Sequence, residues 1–101
     1  MSSHISQTFL PNKTPKLKAS ILPDGRWLLY NAAEQSATTL TASGGILWEL
    51  CDGHTPVSDL IEQIQELYTD VPAARLETET LDALRDFMEQ GLVTDNAIPI
   101  P

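Results

Sequence analysis

The sequence has few of the residues that disulfides, metal centres and nucleic-acid contacts require. Its 101 residues include one cysteine, Cys51, and two histidines, His4 and His54. A lone cysteine excludes an internal disulfide, and the apolar neighbours Ile46 and Leu50 favour a small buried side chain. Two histidines do not supply a convincing set of three or four zinc ligands. We therefore expect no metal and no other cofactor.

Basic residues are scarce as well. Six lysines and arginines face 14 aspartates and glutamates, which gives a formal net charge of −8. Nucleic-acid affinity comes mainly from lysine and arginine side chains that neutralise phosphates, so this excess of acidic residues argues against a nucleic-acid partner. The short length predicts a single domain and excludes a large multi-site enzyme, and 42% hydrophobic residues are enough for a folded core.

Long hydrophobic runs are missing. Residues 27–30 form one of the longest, whereas a membrane-spanning helix needs about 20 apolar residues. The first fifteen residues lack a basic region followed by an apolar stretch, so we expect no secretory signal and, by default, a cytoplasmic location.

The two ends of the chain differ from its middle. Residues 1–15 are polar, contain two prolines and show no periodicity, and residues 96–101 end in Ile-Pro-Ile-Pro. We expect a flexible N-terminal arm over residues 1–15, a folded unit over residues 16–95 and a flexible tail over residues 96–101.

Three β-strands are predicted in the first half of the chain. Apolar and polar residues alternate along residues 16–22, which predicts a half-buried strand. The run 23–25, Pro-Asp-Gly, favours a chain reversal, and the aromatic-rich residues 26–30 are the return strand. After a second turn, Ser36–Leu40 is a short β-prone run and the third strand. The inward face of the first strand is expected to consist of Leu17, Ala19 and Ile21.

Two helices follow the strands. The first can be capped by Thr41 or Ser43 and stopped by Gly53, and its inward residues would be Ile46, Leu47, Leu50 and Cys51. The second has Thr55 as its N-cap and Pro56 at its first position. Its apolar stripe is Val57, Leu60, Ile61, Ile64, Leu67 and Tyr68.

A third helix is predicted to start near Thr78 and to stop at Gly91, after Val71-Pro72 has ended the second. Its apolar side would be formed by Leu81, Leu84, Phe87 and Met88. The resulting order is β-β-β-α-α-α, an α+β domain in which a three-stranded antiparallel sheet is covered by three helices.

No catalytic constellation stands out. The serines lack a nucleophile elbow or an oxyanion-donor motif, and residues 41–45, Thr-Ala-Ser-Gly-Gly, lack the spacing and the lysine of a phosphate-binding loop. The carboxylates of the helices fall at intervals that place them on solvated faces. We therefore expect a protein that is not an enzyme.

The third predicted strand is unusual because Ser36–Leu40 contains no lysine, proline or charge, the devices that normally guard an exposed edge. An unguarded edge can accept an extended peptide through main-chain hydrogen bonds. The strand could instead be central or covered by the chain's own tails, and the pattern by itself slightly favours that alternative.

The chain resembles the PqqD family. Residues 40–68, LTASGGILWELCDGHTPVSDLIEQIQELY, contain a strand ending in leucine, the run Leu50-Cys51-Asp52-Gly53 and a closing Leu-Tyr, and residues 76–93 are similar to the family's final helix with its Gly-Leu-Val ending. The resemblance covers about residues 17–93. Where the family's third strand commonly ends in Leu-Asn, Leu40 is here followed by Thr41, which can still cap a helix.

The resemblance implies a winged-helix-like, peptide-binding domain of the kind called a RiPP recognition element. Such domains bind the leader of a ribosomally made precursor antiparallel to the third strand and against the last helix, and they present it to a tailoring enzyme, a radical SAM enzyme for PqqD itself. Carried over, this implies a docking edge and a facing helix surface, with Arg85 pairing an acidic leader residue; the residues are Ser36, Ala37, Thr38, Thr39, Leu40, Leu81, Leu84, Arg85 and Met88.

Two alternatives stay open at this point. Winged helices also bind DNA, although the predicted third helix carries four acids against Arg85 alone. A protein-protein adaptor subunit without leader binding is the other alternative. The unguarded edge is compatible with a monomer or a weak homodimer.

Overall fold

The computed structural model describes residues 9–96, which contain three helices and two antiparallel sheets. The order of elements is β1 (Pro11–Lys13), β2 (Leu17–Ile21), β3 (Trp27–Asn31), β4 (Ser36–Leu40), α1 (Ala42–Leu50), α2 (Val57–Leu67), α3 (Ala73–Glu89) and β5 (Val93–Asp95). Strands β2, β3 and β4 form one sheet in that order, and β1 pairs with β5 in another. The expected mixture of strands and three helices is confirmed, but the strict order β-β-β-α-α-α is wrong because β1 and β5 flank it.

Two tight turns connect the strands of the larger sheet. Between β2 and β3, Gly25 has a φ of +91° and Asp24 accepts a hydrogen bond from the amide of Arg26 at 3.1 Å. Between β3 and β4, Asn31 accepts from the amide of Glu34 at 3.2 Å, and Gln35 adopts a positive φ. Both reversals use side-chain caps that resist slippage of the register.

The helices cover only part of this sheet. Leu29 and Leu40 are buried, but Ala19 is exposed and Ile21 is 64% exposed. The prediction that Leu17, Ala19 and Ile21 form a buried face is therefore wrong beyond the half-buried Leu17. Strand β2 is the edge strand farthest from β4. The alternation of apolar and polar residues predicted a strand here, but it could not predict how far the helices extend over that strand.

Helix α1 begins as the sequence predicts, with Thr41 as its N-cap. The Thr41 hydroxyl oxygen accepts a hydrogen bond from the amide of Gly44 at 3.0 Å. Leu47 and Cys51 are buried, and so is Trp48, whose indole N–H donates to the carbonyl of Leu92 at 3.0 Å. This bond ties the first helix to the segment that follows the last one.

Helix α2 begins one residue later than expected, with Pro56 as the N-cap position. The side chain of Thr55 donates to Asp52, whose carboxylate also accepts the amides of His54 and Thr55 at 2.9 and 3.0 Å. The amide of His54 is the main cause that lowers the pKa of Asp52. Asp52 therefore makes the side-chain hydrogen bonds in the turn before α2, where the sequence predicted that Thr55 would be the N-cap.

Helix α3 starts at Ala73, earlier than the predicted Thr78. Pro72 is the N-cap position of α3, where a missing N–H is no loss. Helix α2 has already ended at Leu67, so Val71-Pro72 does not terminate it as predicted. Gly91 follows the helix with a φ of +74°, as the predicted stop requires.

The predicted N-terminal arm is wrong for its second half. Residues Pro11–Lys13 pair with Val93–Asp95, and Phe9 is only 3% exposed. The Lys13 ammonium donates to the carbonyls of Glu49 and Cys51 at 2.7 and 3.0 Å, at the end of α1. A strand this short shows no periodicity in sequence, and its partner is far along the chain. Residues 1–8 and 97–101 of the predicted arm and tail lie outside the described residues.

Among residues 9–96, no helix combines the length and the apolar character that a membrane-spanning segment needs.

One hydrophobic core holds these elements together, and its members come from the sheets, the helices and the connecting segments. The buried hydrophobic residues are Phe9, Leu29, Leu40, Leu47, Trp48, Cys51, Val57, Leu60, Ile64, Leu76, Leu84, Phe87, Leu92 and Val93.

Candidate peptide-binding groove

Strand β4 is an edge strand. Its five residues pair with β3 on one side, and no other strand among residues 9–96 pairs with it on the other side. The terminal segments that are described pair with each other rather than with β4. Of the two alternatives that the sequence left open, residues 9–96 therefore favour the exposed edge.

The register of the sheet decides which main-chain groups of β4 face outward. The amide of Leu22 donates to the carbonyl of Arg26 at 2.7 Å, and hydrogen-bonded pairs alternate along antiparallel strands. Counted from that bond, Leu29 directs its main chain toward β4, where its partner is Thr38. The main-chain groups that face away from β3 therefore belong to Ala37 and Thr39.

A cavity of about 190 Å³ lies on the inner side of the sheet, where β4 begins. Side chains alternate along a strand, so Ser36 and Thr38 point to this side while Ala37 and Thr39 point to the other. The opposite wall is the end of α3. The lining residues are Thr14, Leu17, Leu29, Asn31, Glu34, Ser36, Thr38, Gln90, Gly91 and Leu92.

A larger cavity of about 330 Å³ lies where β4 passes into α1. Its wall combines apolar side chains of all three helices with a rim of hydroxyl groups and one carboxylate. Such a mixture suits an apolar side chain that enters from an extended chain. The lining residues are Thr41, Ser43, Gly44, Leu47, Ile64, Tyr68, Val71, Leu76, Glu79, Thr80 and Ala83.

One side of α3 lines both cavities. Glu79, Thr80 and Ala83 line the larger cavity and Gln90 the smaller one. With about 100° of turn per residue, Leu81, Arg85 and Met88 lie about 140° to 160° around the helix from Ala83. None of those three lines either cavity.

The helix surface implied by the resemblance therefore differs from the surface that lines the two cavities. Leu84 is fully buried in the core and has no surface to offer a ligand. Leu81 is half-buried, Met88 is 42% exposed, and Arg85 forms a salt bridge to Asp82 at 3.0 Å. The apolar spacing predicted the helix correctly, but its flank could not be chosen without the position of β4.

The residues that line the cavities carry only weak signals in the sequence. Ala83 and Thr80 are small and lie one turn apart, which allows close approach to the helix, and neither was selected as a site residue. Thr41 was selected only as a cap. Small side chains that line a cavity leave no mark in an apolar pattern.

Two features of residues 9–96 bear on bond-making chemistry. Within residues 9–96, no three or more histidine, cysteine or acidic side chains are placed so that they could hold a metal ion. The Cys51 thiol is fully buried and donates to the carbonyl of Leu47 at 3.3 Å. Burial raises the pKa of Cys51 to about 12, which is the opposite of what a reactive thiolate requires.

Comparison with known proteins gives two matches. The family model described as Coenzyme PQQ synthesis protein D (PqqD) matches residues 26–93. A solved structure described as "TbiB1 in Complex with the TbiA(beta) Leader Peptide" is similar with a TM-score of 0.67 and 18% identity, over 81% of this chain and 93% of that one. No curated protein sequence matches the chain significantly.

Proposed function

The chain belongs to the PqqD family, and we propose that it is a non-catalytic adaptor, a RiPP recognition element that binds the leader of a ribosomally made precursor peptide. Its fold, with a three-stranded sheet beside three helices, is similar to that of TbiB1. In the proposed function the sheet acts as the wing of a winged-helix-like domain, and the leader adds to it as a further strand.

The open edge of β4 is the observation that carries this proposal. Ala37 and Thr39 offer main-chain donors and acceptors on the side away from β3. An added strand would satisfy these groups and lie above the two cavities, which would take its inward side chains. That TbiB1 is described in complex with a leader peptide supports the same use of this fold here.

The proposed site keeps the strand and changes the helix surface. Ser36, Ala37, Thr38 and Thr39 form the docking edge. Leu40 is not part of it, because its side chain is 7% exposed and its main chain faces β3. On α3 the proposed contacts are the residues that line the cavities, Glu79, Thr80, Ala83 and Gln90. Leu81, Arg85 and Met88 lie outside the groove and are not part of the proposed leader contacts.

The second partner in this proposal is a modifying enzyme that receives the bound precursor, a radical SAM enzyme by analogy with PqqD. The adaptor supplies affinity and the enzyme supplies chemistry, which agrees with the inert thiol and the absence of a metal cluster within residues 9–96. Co-purification with the enzyme encoded beside its gene is the direct check of this assignment.

The leader hypothesis is tested with a proline variant of the edge. In Thr39→Pro the amide that faces outward is lost, while the bonds between β3 and β4 stay intact. We expect the affinity for a synthetic leader, taken from a precursor encoded beside the gene, to fall at least about tenfold, since two or more main-chain bonds are removed or blocked. Isothermal titration calorimetry measures this change.

The matched control is Ala19→Pro, which removes an outward amide from β2, the opposite edge of the same sheet. This variant should bind the leader like the wild type. Equal affinity of Thr39→Pro and wild type, with both folded by circular dichroism, would rule out strand addition at β4. Thr38→Pro is unsuitable because its amide faces β3 and its loss would break the sheet itself.

A further inference from the structure

The groove beside β4 has a measurable length. From Ser36 to Thr41 the strand side extends about 17 Å at its usual rise per residue, and α3 covers about 16 Å from Glu79 to Gln90. The large cavity lies at one end of this groove and the small cavity at the other. An extended segment of about five or six residues fills this length.

The charges along this groove have one sign. Among residues 9–96, Glu79 is the only side chain with a charge at neutral pH that lines the large cavity, and Glu34 is the only one that lines the small cavity. Asp86 lies between them on the same flank of α3, where it accepts a hydrogen bond from Gln90 at 2.6 Å. Within residues 9–96, no lysine or arginine lines either cavity.

Nearby arginines offset these charges only in part. Arg75 pairs with Glu79 at 2.8 Å, but both side chains are more than half exposed, and exposed pairs contribute little free energy and exchange readily. Arg85 lies on the far flank of α3 beside Asp82. An acidic segment in the groove would therefore meet like charges along its whole length.

We infer that the groove selects a basic segment: an extended peptide with one apolar side chain for the large cavity, followed by lysine or arginine on the same face. This inference rests on the proposed function. A strand antiparallel to β4 meets the large cavity first and the small cavity last. Because side chains on one face recur every second residue, the basic residues belong two and four positions after the apolar one, beside Asp86 and Glu34.

This selectivity is opposite to the one that the resemblance implied, in which Arg85 pairs an acidic leader residue. The difference follows from which flank of α3 lines the groove, and it is a property of the charges in this chain. Acidic leaders and phosphate backbones are disfavoured by the same three carboxylates.

The test uses three short synthetic peptides with one serine- and threonine-rich, β-prone sequence and a single leucine. They carry lysine, glutamate or glutamine at the second and fourth positions after the leucine. NMR titration at low ionic strength gives their dissociation constants. We expect the lysine peptide to bind at least about fivefold more tightly than the glutamate peptide, with the glutamine peptide between them and the difference reduced by added salt.

Charge reversal tests where the preference resides. The double variant Glu34→Lys with Glu79→Lys should prefer the glutamate peptide. The control compares two single variants: Glu77→Lys, at an exposed position about 160° around α3 from Glu79, makes the same charge change as Glu79→Lys alone. Glu77→Lys should retain the preference for lysine, whereas Glu79→Lys should weaken it.

The outcomes separate this inference from the proposed function. Binding of all three peptides with equal affinity, or preference for glutamate, would overturn the basic selectivity and leave leader binding in place. A preference weakened equally by Glu77→Lys and Glu79→Lys would also overturn it, because net charge rather than the groove would then be responsible. If neither the peptides nor the leader encoded beside the gene shift any amide of β4, the proposed function fails together with the inference.

Discussion

The larger sheet is joined to the helices through a close contact between Trp27 and Gly45. A β-carbon placed on Gly45 would overlap with two carbons of the Trp27 ring. Glycine is required here for space and not for its φ angle, because Gly45 lies within the regular helix α1. The indole therefore rests directly on the helix backbone beside the end of β4.

We expect Gly45→Ala to lower the free energy of unfolding by about 1–3 kcal/mol, because an overpacked contact forces ring or backbone to move. Urea denaturation followed by circular dichroism measures this loss. Ser43→Ala, at an exposed position of the same helix, should change stability by less than about 0.5 kcal/mol. If both variants are as stable as the wild type, the indole moves aside freely and does not fix the sheet.

The thiol of Cys51 gives a pH dependence of stability. Burial raises its pKa to about 12 in the folded state, from an ordinary value of 9.0. The contribution of this thiol is fully present below pH 9, and it is lost as the pH rises from 9 toward 12, because the unfolded chain then releases a proton that the folded chain keeps.

From pH 8 to pH 10 we therefore expect the wild type to lose about 1 kcal/mol more unfolding free energy than Cys51→Ala, which has no thiol to titrate. Urea denaturation of both proteins at the two pH values measures this difference. The cavity made by the substitution lowers both values for the variant and cancels in the comparison. Equal pH dependence of the two proteins would contradict the raised pKa.

Among the secondary-structure elements, β1 pairs with β5 and contacts the C-terminal end of α1. Phe9 enters the core just before β1, and Lys13 within it binds the carbonyl groups at the end of α1. A cation at a helix C-terminus is electrostatically favourable. The segment that the sequence assigned to a flexible arm thus belongs to the folded unit from residue 9 onward.

We expect Phe9→Ala to lower the free energy of unfolding by about 3–5 kcal/mol, because a buried aromatic side chain next to β1 is removed. The comparison is Ile21→Ala, whose side chain is 64% exposed in β2 and should cost less than about 1 kcal/mol. Chemical denaturation of the two variants decides the matter. A mobile arm would make Phe9→Ala the milder change.

The elements that were predictable from sequence are those defined by neighbouring residues. Ser36–Leu40 and the Thr41 cap are confirmed because a hydroxyl before a helix and a β-prone run act locally. The pairing of β1 with β5 was not predictable, since it joins segments at opposite ends of the chain. The early start of α3 was missed because Pro72 was interpreted as the end of α2, whereas α2 ends at Leu67 and Pro72 is the N-cap position of α3.

The candidate site divides in the same way. The pattern of Ser36–Leu40 by itself slightly favoured a central or covered strand, and the family resemblance implied an edge; the pairing of β4 with β3 alone within residues 9–96 favours the edge. The flank of α3 that meets β4 depends on how the helix is rotated against the sheet, and Leu81, Met88 and Ala83 all carry apolar side chains in the sequence. Rotation is a property of packing, so the pattern could locate the helix but not the groove.

Across the whole molecule, charge is separated between the two halves of the chain. The first 33 residues contain four bases and one acid, a net charge of +3, whereas residues 34–101 contain two bases and 13 acids, a net charge of −11. The acidic part includes all three helices and the α3 flank that lines the groove. A basic segment is therefore attracted toward the helical side before it reaches β4.

The same open edge bears on the oligomeric state that we propose, a monomer or a weak homodimer. Pairing of two copies through β4 would occupy the groups of Ala37 and Thr39 that the leader needs. Self-association and leader binding are then alternatives for one edge, and the monomer is the form that binds.

The position of Trp27 also gives the protein an optical property. It is one of only two tryptophans, it is half-buried beside Leu40 at the end of β4, and the other, Trp48, is enclosed in the core. We expect a peptide that docks along β4 to change the polarity around Trp27 and to leave Trp48 as a constant background. Fluorescence emission would then report occupancy of the proposed edge without any attached dye.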